Sequence, residues 1–134
     1  TSEEEIGGLG AIWSVSQVPA STVVALDVVP VAAEYQTVNS GDPILPCKDR
    51  AGLYHAGIVE HMTKLAAQLG FGVQTAVLTS YASDATLSKA AASAARAALI
   101  GYAGDNTHGF EICHVDGIVN GARLLVAYLD DPQP

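Results

Sequence analysis

Three adjacent carboxylates, Glu3, Glu4 and Glu5, stand near the start of the chain and run into a turn with glycines at 7, 8 and 10. Like charges side by side repel, and a fold does not bury them without a reason. A bound divalent cation is one such reason. It takes one carboxylate as a ligand and leaves a neighbour free to accept a proton from the water it holds. A solvated acidic chain end is the plainer alternative, and composition by itself favours it. Two further polar residues change the balance. Asp27 sits inside the apolar run 22–29, just before Pro30. A carboxylate there needs a salt bridge, backbone amides or a cation. His108 lies in the polar loop 104–109, where an isolated histidine ordinarily bonds a neighbouring carbonyl. Together, an acid pair, a strand-end aspartate and a loop histidine make the oxygen-and-imidazole set that zinc, cobalt or manganese accepts.

The surrounding sequence supplies elements able to position these groups. Residues 8–17 suit a short helix that ends before Pro19. Residues 22–29 form a continuous β-branched and apolar run, the pattern of a central strand buried on both faces. Residues 31–41 read as a loop with turn residues Asn39, Ser40 and Gly41, and 43–45 as a short strand. Over 53–69, Ile58, Met62, Leu65 and Leu69 recur on one helical face, and Gly70 is a C-terminal stop. Residues 72–79 read as a second strand, and 97–102 as a third, buried one. Ser83 and Asp84 open a helix, with Asp84 as the expected cap. The last helix starts near Asp116, with Ile118, Ala122, Leu125 and Leu129 as its buried stripe. Strands alternate with helices, which implies an α/β layer with a largely parallel sheet. In such sheets ligands bind beyond the strand ends, where the candidate residues fall.

Composition narrows the function classes. The 134 residues are one domain's worth of chain, and 49% hydrophobic content is enough for a core. A formal net charge of −8 leaves no basic stripe for phosphates and argues against nucleic acid. No apolar run reaches the length of a membrane span. Cys47 and Cys113 lack metal-site spacing and read as reduced, packed thiols of a cytoplasmic protein, with a disulfide between them as the alternative.

Four segments carry a resemblance. Residues 1–11, Thr-Ser-Glu-Glu-Glu-Ile-Gly-Gly-Leu-Gly-Ala, resemble the T-x-x-E-E-x-G-x-x-G-A motif of dinuclear zinc aminopeptidases. These are the glutamyl-aminopeptidase and tetrahedral-aminopeptidase family, close in fold to aspartyl aminopeptidases. Residues 25–30, Ala-Leu-Asp-Val-Val-Pro, resemble that family's A-x-D-x-x-P strand. Ser83-Asp84-Ala85 resembles its S/T-D-A turn, and Asn106-Thr107-His108-Gly109-Phe110-Glu111 its N-T-H-G-Y-E segment. The matches come in the family's order and span essentially the whole chain.

The resemblance implies a three-layer α/β/α zinc-peptidase-type sheet and a metal-dependent aminopeptidase acting on peptides. It implies that Glu4 is the general base, that Glu5 and His108 ligate one ion, and that Asp27 ligates a second. Zinc is the expected metal, with cobalt or manganese as substitutes. Glu3 falls at a variable position and takes no role. Asp84 is expected to cap or orient, and Gly7 and Gly10 to let the backbone turn close to the metals. Homo-oligomers are expected for the complete protein. Complete members also have an N-terminal segment with a metal-binding histidine, an inserted small β domain and a bridging aspartate, none of which is in these residues. The chain therefore reads as the C-terminal portion of a catalytic domain, inactive by itself. The rivals are a carboxypeptidase-like enzyme or N-acyl amino-acid deacylase on the same scaffold, and a non-catalytic subunit or binding module. An endoglucanase label, carried by some relatives, finds no aromatic platform for sugar stacking here.

Overall fold

Two of the runs that read as buried strands become the two long strands. In this computed structural model, which describes residues 2–18 and 21–132, β1 (Thr22–Pro30) and β2 (Arg96–Asp105) pair in parallel. Thr1, the first residue of the acidic motif, and Pro19, the expected stop of the first helix, lie outside the described residues. The pairing runs from Thr22 opposite Arg96 to Pro30 opposite Gly104. A short β3 (Ile112–Cys113) lies antiparallel to the end of β2, giving the order β1-β2-β3. The sheet is thus parallel at its long pair only. β2, not β1, is the central strand, and among the described residues β1 is an edge with Leu26 58% exposed. This corrects the expectation for 22–29. An apolar run reports the wish to be covered, not which edges are paired.

Among the described residues four α-helices complete the layers: α1 (Leu9–Ser16), α2 (Ala56–Leu69), α3 (Asp84–Ala90) and α4 (Val115–Asp130). Alternate side chains of β2 face opposite ways, as strand geometry requires. Ala97, Leu99 and Ala103 join Val29, Ile44, Tyr54, Leu78 and Ala85 in one core. Ala98 and Ile100 join Ile58, Met62, Leu65, Leu124 and Tyr128 in the other. α3, with α1 packed on it, covers the first face, while α2 and α4 cover the second.

Local signals set most helix ends. Gly70 closes α2 in the left-handed conformation, with φ of 86°. Ser83, not Asp84, caps α3, its hydroxyl accepting from the Thr86 amide at 3.4 Å. His55 and His114 cap α2 and α4 through side-chain acceptors.

Three further expectations fail. Residues 72–79 form no regular strand. They make isolated parallel bridges, Gln74 to Ile44 and Val77 to Lys48, because the partner segment is itself irregular. On α4 the buried residues are Gly117, Gly121, Leu124 and Tyr128, while Ile118 and Leu129 stand 47% and 64% exposed. Cys47 is exposed and Cys113 half-buried, so both are free thiols but not interior ones.

Candidate active site

The acidic motif folds as one tight unit. Glu4–Ile6 form a single 3-10 turn, closed by Gly7 at φ 119°. Gly8 then opens α1 at φ 65°, and a β-carbon there would collide with Asp84 and Leu87 of α3. Gly10 leaves room for the backbone of Ser2, whose carbonyl accepts from the Gly10 amide at 3.1 Å. The glycines therefore bring the carboxylates against α3 and the end of β1.

There they meet the other candidates. Glu4, Glu5, Asp27 and His108 all line one cavity of about 220 Å³, together with Glu111. His108 Nε2 lies 3.8 Å from Glu5 Oε1. Its loop is held in place from two sides. The Glu111 carboxylate accepts from the His108 amide at 3.3 Å. The Asn39 amide group donates to Asp105 and to the Ile112 carbonyl, and its oxygen accepts from the His114 amide. Both Asn106 and His108 sit in the left-handed region, at φ 57° and 66°. Such strain persists only where the surroundings hold it.

The rim is electrostatically tense. Asp27 is half-buried and accepts from the Val28 amide at 2.8 Å. Desolvation raises its pKa above the ordinary carboxylate range, and the charges of Asp84 and Glu5 raise it further, against the lowering effect of that amide and of His108. Glu4 is raised for the same reasons: burial first, then Asp27, Glu5 and Asp84. Among the described lining residues there is no lysine or arginine to offset them. The remainder of the wall is apolar or hydroxyl-bearing, with Val29, Leu78 and Leu99 beside Tyr54, Tyr81 and Ser83.

The donor types suit a divalent cation, and a carboxylate whose proton affinity is raised wants a positive partner. The set is incomplete, however: among the described residues no three His, Cys, Asp or Glu side chains converge as a metal-holding group. Glu5, Asp27 and His108 share the cavity and are the residues that could hold a cation there.

Comparison with known proteins decides the family. The profile described as M42 glutamyl aminopeptidase matches residues 1–124. The chain belongs to the M42 family. Solved structures share the M42 fold seen here. A TET aminopeptidase from the marine sediment archaeon Thaumarchaeota archaeon SCGC AB-539-E09 superposes with a TM-score of 0.88 at 18% identity. That match covers 97% of this chain and 38% of that one. An aminopeptidase from Desulfurococcus kamchatkensis gives 0.87 at 20% identity, over 100% of this chain and 40% of that one. The Pyrococcus horikoshii TET1 peptidase, which can assemble into a tetrahedron or a large octahedral shell, gives 0.81 at 16% identity, over 92% and 37%. At these identities the likeness is one of fold, and this chain spans about two-fifths of each relative's length. No curated protein sequence matches the chain significantly.

Sequence reasoning named four residues that the fold brings to one cavity. It placed no role on Glu111, Tyr54 or Ser83, which line the same space, or on Asn39 and Asp49, which hold the walls. Glu111 stood inside a recognised motif and Ser83 at a recognised helix start, so those two carried a signal. Asp49 carried none.

Proposed function

We propose that the complete protein carrying this chain is a metal-dependent aminopeptidase that removes N-terminal residues from peptides. The observation that supports this most is the gathering of Glu4, Glu5, Asp27 and His108 on one cavity in a chain of the M42 family. Glu5, Asp27 and His108 are the residues that would hold divalent cations, zinc before cobalt or manganese. When bound, the cations polarise the scissile carbonyl and acidify the attacking water. Glu4 is the general base. Its carboxylate sits at the rim with a raised proton affinity, which suits it to take the water's proton and return it to the leaving amine. Asp27, beside the like charges of Asp84 and Glu5, is relieved of that repulsion by a bound cation. The acid-rich rim also favours a free α-ammonium on the substrate, which directs cleavage to the peptide N-terminus. The apolar wall of Val29, Leu78 and Leu99 limits bulk water in the cavity to the molecule that attacks.

In this reading the 134 residues are the C-terminal portion of the catalytic domain and hydrolyse little or nothing by themselves. The complete protein works as a cytoplasmic homo-oligomer, as the assembly of the Pyrococcus relative suggests. Among the described residues no helix is long and apolar enough to cross a membrane.

The test is hydrolysis of unblocked and N-acylated aminoacyl chromogenic substrates by the complete protein with zinc, cobalt or manganese. Cleavage of the unblocked substrate alone supports the aminopeptidase. Preference for the acylated one points to a deacylase, and no turnover of either to a non-catalytic module. Glu4→Gln is expected to lower kcat by roughly 10²- to 10⁴-fold while metal content by elemental analysis stays the same.

A further inference from the structure

Behind the cavity wall lies a carboxylate that the proposed chemistry does not use. Asp49 is 1% exposed, yet it is not unsatisfied. Oδ1 accepts from the backbone amides of Ala51 and Gly52, at 2.9 and 3.0 Å, and so shapes its own turn. Oδ2 faces the other way. It accepts from the Tyr54 hydroxyl at 2.6 Å, the Thr86 hydroxyl at 2.5 Å and the Ser83 amide at 3.0 Å. Tyr54 and Ser83 both line the cavity, and they bond each other at 3.0 Å. Ser83 is also the cap of α3 and the residue before Asp84, whose charge acts on Glu4 and Asp27.

A buried carboxylate is costly unless donors surround it, and truncating it leaves those donors unpaired. Chain-turn formation needs only Oδ1. The second oxygen joins donors from two segments far apart in sequence: residue 54 before α2, and residues 83 and 86 at the start of α3. Burial and the bond to Asp49 also keep the Tyr54 phenol neutral, its pKa pushed up. Its single proton is therefore committed inward.

We infer that Asp49 is a positioning residue for the candidate active site, one carboxylate oxygen holding Tyr54, Ser83 and the start of α3 as a single rigid wall. The inference rests on the aminopeptidase reading for its kinetic consequences. Asp49→Asn separates the two jobs of the side chain. An amide has one acceptor oxygen where the carboxylate has two. Either the turn amides of 51 and 52 or the Ser83 amide must then face an NH₂ group. Hydroxyls can rotate to find another acceptor, but the Ser83 amide cannot.

The experiment uses the complete protein with zinc and an unblocked aminoacyl p-nitroanilide, well below the melting temperature. Asp49→Asn, Tyr54→Phe and their double variant are compared, with Thr86→Val as a milder change. Loss of wall geometry is expected to lower kcat/KM by about 10- to 100-fold in Asp49→Asn. The double variant should be no worse than Asp49→Asn, since both act on the same contact. Thr86 does not line the cavity, so a fall of about threefold in Thr86→Val must be relayed through its hydroxyl's contacts with Asp49 Oδ2 and Ser83. Amide hydrogen exchange at Ser83 should quicken at least about tenfold in Asp49→Asn and stay unchanged in Tyr54→Phe.

Wild-type kinetics in a folded Asp49→Asn protein would overturn the inference, as would effects of Asp49→Asn and Tyr54→Phe that multiply. If Asp49→Asn does not fold, wild-type kinetics in Thr86→Val would overturn it. A wild-type protein without peptidase activity sinks the aminopeptidase reading instead. The wall then stands or falls on the Ser83 amide: faster exchange in Asp49→Asn supports it, and unchanged exchange refutes it.

Discussion

Asp27 and Asp49 are both aspartates held away from bulk water, and they meet opposite fates. Asp49 lies in the interior and receives donors on both oxygens from five residues of its own chain. Asp27 lies half-buried at the cavity and receives the amide of its immediate neighbour, while Asp84 and Glu5 crowd it with like charge. Burial is therefore no guide to function by itself. A carboxylate satisfied from within does structural or positioning work. One left with raised proton affinity at a cavity is set up for a positive partner from outside.

The contrast can be broken by truncation. Asp49→Ala is expected to be the largest stability loss, roughly 3 kcal/mol, because it strands buried amides and hydroxyls. Asp27→Ala should cost far less in the metal-free chain, since it removes a charge that folding strains. Urea unfolding of both variants reads the difference, and equal losses would erase the distinction.

Acid sharpens it next. Asp27 and Glu4 bind protons more tightly folded than unfolded. Their contribution to stability is therefore fully present below the unfolded carboxylate range and is lost as pH rises through the folded pKa. Asp27→Asn should accordingly raise the melting temperature of the metal-free chain near neutral pH, and the gain should vanish in acid. With a divalent cation added to the complete protein, the order should reverse. Wild type then gains ligand-linked stability that Asp27→Asn cannot. A Tm series against pH, with and without zinc, checks both signs.

The smallest effect concerns Tyr54→Phe. It removes one donor from Asp49 and leaves four, so about 1 kcal/mol of stability is at stake. A loss as large as that of Asp49→Ala would mean that the phenol, not the carboxylate, organises the wall.

Much of this arrangement was legible before any coordinates. A β-branched, apolar run marked β1, a buried apolar run marked β2, and a period-3.6 stripe ended by glycine marked α2 with its C-terminal boundary. Four short motifs marked Glu4, Glu5, Asp27 and His108. The misreadings have physical causes. α4 carries two apolar stripes, and periodicity favoured the one with larger side chains. The fold buries the other because Gly117 and Gly121 let the helix approach β2 closely. A β-carbon at Gly117 would sit 3.6 Å from Tyr102 of β2 and 3.1 Å from the Ser40 carbonyl beside it, and one at Gly121 would sit 3.5 Å from Ile100 of β2. Small residues score weakly in a hydrophobic pattern yet set the closest packing.

The amino-acid sequence by itself determined local matters: where strands and helices run, which residue types could hold a cation, and which family the motifs resemble. Tertiary structure alone decided which edge of β1 is paired, which face of α4 is covered, and that Asp49 meets residues 54, 83 and 86. Those outcomes depend on contacts between residues distant along the chain. Backbone propensity and side-chain periodicity act over a few residues and carry no record of such distances.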